Sequence, residues 1–426
     1  MLRPLSSERS SWTFLLALFV SLASVAPASA STLETWRMTS EHVDIETARL
    51  GVSVAGRNGY PKIPRDALRV NVLLPDGYDP AHPLPVLYLL HGGGWGYDYW
   101  ADPEGGDISE VVGDLPAIIV MPEGGRGWYT NWWNAGRRGD PAWERFHLDD
   151  LIRVVHERLA VRPERRWHAI AGFSMGGLGA LNYAAQRPGY FGSAASLSGI
   201  VSIQRPETAT AFDSLSAGFS GFVDGPTAQP ETHTDVFGDP GDQAFYWAGH
   251  NPVALAVNLR QSRIFLTSGD GSPYSSDDLL SSLQGTPVVG LTESYMRDLS
   301  RDFASAASTA GVQDLTVNER AGLHTNFASR LGLTEALDWG LFEPVLDRTR
   351  FWTYRTVAQR GQMWQLSFAF DRPPDELIEF ERRGKFLIAR GSGRVRIRRG
   401  RLGRCAVSAE LPFQIRFTRI CSRRGH

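Results

Sequence analysis

Apolar residues along this chain gather into short blocks separated by longer stretches with helical spacing. Pro85 to Leu90 (PVLYLL) and Ala117 to Met121 (AIIVM) are unbroken apolar runs; Trp167 to Phe173 (WHAIAGF), Ser193 to Leu197 (SAASL) and Arg263 to Thr267 (RIFLT) read as further short strands. Leu68 to Leu74 alternates before a Pro-Asp-Gly turn. Runs of this length with no polar face predict central parallel strands covered on both sides. Between them Ala142 to Ala160 is amphipathic, Met175 to Arg187 (MGGLGALNYAAQR) is rich in small and apolar residues, and a helix over Thr292 to Thr309 precedes a last strand around Leu315 to Asn318. Helices alternating with such strands predict an α/β fold, a mostly parallel central sheet flanked by helices.

The pattern breaks in three places. Residues 1–30 carry Arg3 and Arg9, an apolar run from Trp12 to Val25 and then Ala28-Ser29-Ala30. The run is shorter than the ~20 apolar residues of a membrane span and ends at a small-residue cleavage motif, so it predicts a signal peptide cut after Ala30. Residues 200–262, within a main domain of 31–349, are polar with intermittent aromatics, which predicts an insertion or cap that shapes specificity. Residues 350–426 hold 18 Lys+Arg against 6 Asp+Glu, a net of +12; the whole-chain charge of −2 leaves −14 on residues 1–349. Short alternating runs there, Lys385 to Ala389 and Arg394 to Arg398, predict a small β-rich basic module with an arginine-bearing face, stapled if Cys405 and Cys421 pair. Such a face suits an anionic cell-envelope surface, and nucleic acid is a poor partner for an exported protein. The remaining composition, 42% hydrophobic and 21% charged, is ordinary for a globular chain.

Candidate chemistry sits where strands end. Gly172-Phe173-Ser174-Met175-Gly176 lies between a predicted strand and a predicted helix, the context in which Gly-x-Ser-x-Gly is a nucleophile elbow and Ser174 a nucleophile. His91-Gly92-Gly93-Gly94 follows a central strand, where glycine-rich backbone supplies half of an oxyanion hole in α/β-hydrolases. Two aromatic-rich loops, Trp95 to Trp100 and Trp128 to Trp133, follow strands that border the elbow and could stack on a substrate or pack the domain. In α/β-hydrolases the acid and then the histidine follow the serine. Of the histidines after Ser174, His233 and His250 fall in the insertion and His426 ends the chain; His324 alone lies in a loop after the final strand, as a general base should. The acid is Asp270, in a Gly-Asp-Gly turn after the strand ending at Thr267, or Glu293, at the start of the next helix. Nothing in the sequence forms a metal-ligand cluster, phosphate loop or nucleotide fingerprint, so no cofactor and no metal are implied.

From about Trp36 to Phe342 the chain resembles the secreted putative-esterase family of α/β-hydrolases that includes esterase D and the mycobacterial mycolyltransferases. The resemblance rests on Leu87-Tyr88-Leu89-Leu90-His91-Gly92, Met121-Pro122-Glu123-Gly124-Gly125, Trp128-Tyr129-Thr130-Asn131-Trp132, Gly172-Phe173-Ser174-Met175, Asn251-Pro252 and Gly322-Leu323-His324. It implies the α/β-hydrolase fold, Glu293 rather than Asp270 as the acid, and the backbone N–H groups of Gly93 and Met175 as oxyanion donors. Two positions depart from the mycolyltransferase branch: His91-Gly92-Gly93-Gly94 stands for Asp-Gly-Leu-Arg, and Asn131 for an aspartate. Transfer to trehalose is therefore not the expectation. The expected function is a secreted serine esterase hydrolysing carboxylic esters, whether of small molecules, lipids or acylated sugars, through an acyl-enzyme and a Ser-His-Glu triad. The alternatives are an acyltransferase of mycolyltransferase type, acting on a sugar or cell-envelope acceptor, and a noncatalytic cell-surface binding protein.

Overall fold

The central strands carry no polar face because both of their faces are covered. In the computed structural model, which describes residues 31–43, 68–134, 142–223, 232–283, 289–400 and 405–421, they belong to an eight-stranded sheet. Its strands are β1 (Thr32–Met38), β2 (Leu68–Leu74), β3 (Val86–Leu90), β4 (Ile118–Pro122), β5 (His168–Phe173), β6 (Ser193–Leu197), β7 (Arg263–Gly269) and β8 (Asp314–Arg320), in the order β1-β2-β4-β3-β5-β6-β7-β8. The joints of β2 with β1 and β4 are antiparallel and the others parallel. The predicted signal peptide lies outside the described residues, as does part of the predicted insertion.

Alternate residues of each central strand feed two cores. Val86, Tyr88, Leu90 and Ile170 pack with the elbow helix (Met175–Gln186) and the long helix Val289–Ala310, through Leu178, Met296, Leu299 and Phe303. Leu87, Leu89, Ala169 and Ala171 pack on the opposite side with Ile108, Leu333 and Ala336. The helix predicted over Ala142 to Ala160 is interrupted by a wide π-helical turn, Phe146–Leu151, between Trp143–Arg145 and Ile152–Arg158. That turn buries His147, whose ring meets the Tyr183 hydroxyl at 2.8 Å and the Glu123 carbonyl at 2.9 Å.

The segment predicted as a polar cap is helical in its described part, with Thr208–Val223, His233–Val236, Ala244–Gly249 and Pro252–Leu255. Its scattered aromatics explain why it folds: Phe212, Phe237 and Trp247 are buried in the same core as the elbow helix.

Beyond Trp339 the chain enters two antiparallel four-stranded sheets around a separate apolar core that includes Tyr354, Phe368, Phe380 and Ile397. The strands are β9 (Phe351–Thr356), β10 (Arg360–Met363), β11 (Leu366–Phe370), β12 (Ile378–Arg383), β13 (Phe386–Arg390), β14 (Arg394–Arg399), β15 (Cys405–Glu410) and β16 (Phe413–Arg416), ordered β10-β11-β14-β15 and β16-β13-β12-β9. Cys405 is disulfide-bonded, and the chain holds one other cysteine, Cys421. This unit docks at the C-terminal end of the elbow helix. The Tyr354 hydroxyl donates to the Gln186 carbonyl at 3.2 Å, Asn258 Nδ2 to the Arg355 carbonyl at 2.9 Å and Gln261 Nε2 to the Phe351 carbonyl at 2.9 Å.

Candidate active site

Ser174 occupies the sharp turn between β5 and the elbow helix, with φ 57° and ψ −117°. A left-handed φ is strained for a serine, and the turn closes only because its neighbours lack side chains. A Cβ on Gly172 would lie 2.3 Å from the Gly176 carbonyl oxygen, and one on Gly176 would lie 2.4 Å from that of Leu90. The Ser174 amide is tied to the Leu197 carbonyl on the neighbouring strand at 2.9 Å.

The structure brings Ser174, His324 and Glu293 into one line of hydrogen bonds. His324 Nε2 is 2.9 Å from Ser174 Oγ, and Nδ1 is 2.7 Å from Glu293 Oε2. Glu293 is fully buried, and its other oxygen accepts from Ser198 Oγ at 2.6 Å and from the Gly269 N–H. Phe173 stacks on the His324 ring, with centroids 4.7 Å apart. Asp270, the other candidate acid, is exposed, and its carboxylate accepts from the backbone and hydroxyl of Ser272, which holds its pKa below the usual range. It is a turn residue.

Glu293 carried a readable sign. The long helix starts at Val289, three residues before the predicted start, so Glu293 falls on the same stripe as the buried Met296, Leu299, Ser300, Phe303 and Ala307. A glutamate on an apolar stripe is costly to bury unless it has partners. Asp278 carried no such sign. It is fully buried and clamps the loop bearing His324: Oδ2 accepts the N–H groups of Tyr274 at 2.9 Å and Leu323 at 3.0 Å, and Oδ1 the Thr325 hydroxyl at 2.7 Å.

The glycine-rich loop after β3 lies against the elbow, since a Cβ on Gly92 would sit 3.5 Å from that of Ser174. Met175 opens the elbow helix, so its N–H has no carbonyl one turn earlier to bind. Most rings of the two aromatic loops turn inward: Tyr97, Tyr99, Trp100, Trp128 and Tyr129 are buried, whereas Trp133 is 41% exposed. Asn131 uses its side chain to accept the Arg145 N–H at 3.2 Å. Trp128 joins Ile200, Phe212, Phe237, Tyr295 and Met296 around a narrow apolar pocket beneath the capping segment. Ile200 also adjoins the elbow, through its N–H on the Ser174 carbonyl at 3.4 Å.

Comparison with known proteins adds the lineage. Residues 62–293, from before β2 into the long helix that carries Glu293, match the family described as "Putative esterase". The chain belongs to this family. Among relatives of this esterase-family chain, "Esterase Rv1288" of Mycobacterium tuberculosis (strain H37Rv) is 40% identical over 204 residues, covering 47% of this chain and 42% of its own length. The chain thus spans less than half of that relative. The "MPT51 antigen" of Mycobacterium leprae is 30% identical over 236 residues, covering 54% of this chain and 70% of its own. The crystal structure of MPT51 from Mycobacterium tuberculosis superposes with a TM-score of 0.51 at 21% identity, covering 65% of this chain and 93% of that one, a likeness of fold. Among the described residues no group of His, Cys, Asp or Glu could hold a metal ion, and no helix is long and apolar enough to cross a membrane.

Proposed function

We propose that this chain is an exported serine esterase that hydrolyses carboxylic esters through an acyl-enzyme on Ser174. The observation that carries the reading is the unbroken relay from buried Glu293 through His324 to the Ser174 hydroxyl, at 2.7 and 2.9 Å. His324 Nε2 takes the Ser174 proton as Oγ attacks the ester carbonyl carbon, and Glu293 stabilises the imidazolium through Nδ1–H. The carbonyl oxygen becomes an oxyanion between the amides of Gly93 and Met175, the second at a helix N-terminus whose dipole favours negative charge. His324 then protonates the departing alcohol, and a water activated by the same nitrogen releases the acid and restores Ser174.

The apolar pocket beside Ile200 would receive the acyl group, and its lining suits hydrocarbon rather than charged acids. Water as the acceptor fits a glycine loop that brings no charged side chain to the site. The basic unit at the far end of the elbow helix would hold the enzyme to an anionic cell-envelope surface without entering the reaction. Labelling by a fluorophosphonate, lost in Ser174→Ala, tests the nucleophile, and turnover of p-nitrophenyl esters of graded chain length tests the acyl preference. Labelling of Ser174→Ala equal to wild type would sink the proposal, and a noncatalytic binding protein would show neither labelling nor turnover.

A further inference from the structure

His91 precedes the glycine run, yet its side chain points away from the reacting atoms. It is buried beneath the loop, with its ring against Tyr129 at a centroid distance of 5.8 Å. Two fixed backbone groups decide its tautomer. The Gly124 N–H approaches Nε2 at 2.9 Å and can only donate, so Nε2 accepts. The ring proton is therefore on Nδ1, where it meets the Gly92 carbonyl at 2.8 Å, a group that can only accept. Glu123 Oε1 is 3.6 Å from Nε2, beyond hydrogen-bond range, and accepts the Gly125 N–H instead at 2.7 Å.

This bond acts on the next peptide. In a trans peptide the carbonyl and the following N–H point in opposite directions, so fixing the Gly92 carbonyl fixes the Gly93 N–H. The carbonyl is drawn to the His91 ring, on the Gly124 and Tyr129 side, which turns the Gly93 N–H away from that ring; Gly92 itself packs on the elbow, where a Cβ would meet Phe173 and Ser174. Three successive glycines have little intrinsic preference for either peptide orientation, and a flipped peptide would present an oxygen to the oxyanion. We propose that His91 is a positioning residue for the oxyanion hole: its Nδ1–H locks the Gly92 carbonyl and so aims the Gly93 N–H at the carbonyl oxygen of a bound ester. The proposal rests on the serine-esterase reading above.

Amide side chains separate this role from simple bracing. In His91→Asn the side-chain amide can occupy the place of Nδ1 and still donate to Gly92, but it cannot reach Gly124. In His91→Gln it reaches the place of Nε2 and can accept from Gly124, but the donor to Gly92 is lost. The readout is kcat together with the rate ratio between an ester and its thionoester (C=S), which reports how well backbone donors grip the oxyanion and does not depend on the fraction of enzyme folded. Losing one oxyanion donor costs roughly 10²–10³ in kcat, so His91→Gln should lose about 10- to 100-fold and compress the ratio by about tenfold, whereas His91→Asn keeps both within about threefold. A ratio unchanged in both variants, or compressed only in His91→Asn, overturns the positioning role. Ser174→Ala is the control on the underlying reading: undiminished turnover by that variant would mean the esterase site itself is misassigned, whatever His91 does.

Discussion

Holding Ser174 at a left-handed φ costs about 1–3 kcal/mol, which the surrounding packing must offset. The close approach of Gly172 to Gly176 and the hydrogen bond that the Ser174 N–H donates to the Leu197 carbonyl do so from both sides of the turn. Acid assignment is the sharpest test at this scale. Glu293→Gln cannot hold the imidazolium, so kcat should fall by about 10²–10⁴, whereas Asp270→Asn, at a surface turn, should stay within about threefold; steady-state kinetics on one p-nitrophenyl ester decides between them. A second residue sets a pH dependence of stability. Glu144 is buried, and burial above all, with Asp149 adding to it against the pull of Arg187 and Asn182, raises its pKa to about 7. Folded protein therefore keeps a proton that the unfolded chain releases near 4.5. That contribution is complete below pH 4.5 and lost as pH rises to about 7, so Glu144→Gln should gain on wild type across this window by up to about 3 kcal/mol, measured by urea unfolding at several pH values. An equal gain at all pH values would show that Glu144 titrates in the fold as it does in the unfolded chain.

At the scale of elements, the proposed site lies at the C-terminal ends of β3, β5, β7 and β8, and buried residues outside the relay brace its loops. Asp278 is the clearest case, since it receives two backbone N–H groups and a hydroxyl around the His324 loop. Asp278→Ala leaves those donors buried and unpaired, at a cost of about 1–3 kcal/mol, and should lower kcat more than it raises KM because His324 loses its fixed approach to Ser174. Loss of stability with unchanged kcat would make Asp278 a scaffold residue only. The sequence announced the strands because β3 to β7 are covered on both faces, and a short unbroken apolar run such as PVLYLL fits few places in a fold besides a strand of that kind. It announced the elbow because glycines two residues either side of a serine, between strand and helix, have a steric cause. It did not announce Asp278: in Ser275-Ser276-Asp277-Asp278 nothing local tells which aspartate turns inward. The capping helices were hidden for a related reason. Phe212, Phe237 and Trp247 are spaced irregularly over separate short helices, so their shared burial is a tertiary fact with no period to read.

Charge is distributed unevenly over the whole molecule, and part of the basic excess is already neutralised. Arg355 and Arg390 meet Glu379, Arg383 and Arg390 meet Glu381, and Arg394 lies 3.5 Å from Glu410. On the outer face of the β10-β11-β14-β15 sheet, Arg360 and Arg396 flank Ala369 across the ladder, and Arg398 stands between Ser367 and Ala406, all three arginines exposed. Replacing Arg360, Arg396 and Arg398 together with Gln should leave ester hydrolysis unchanged and abolish retention on vesicles rich in anionic lipid; wild-type retention should itself weaken steeply with salt, as screening shortens reach to roughly 8 Å. Retention by the triple variant equal to wild type would remove this face from the account. Truncating the unit is the weaker experiment, because Gln186, Asn258 and Gln261 would lose partners they hold across the junction. That junction also bears on how substrate arrives. The elbow helix is 12 residues long, about 18 Å, with the serine at its first turn and the β unit against its last. An enzyme resting on a surface through that unit would hold its serine away from the surface, and so would meet esters diffusing in from the medium before any acyl chain embedded beneath it.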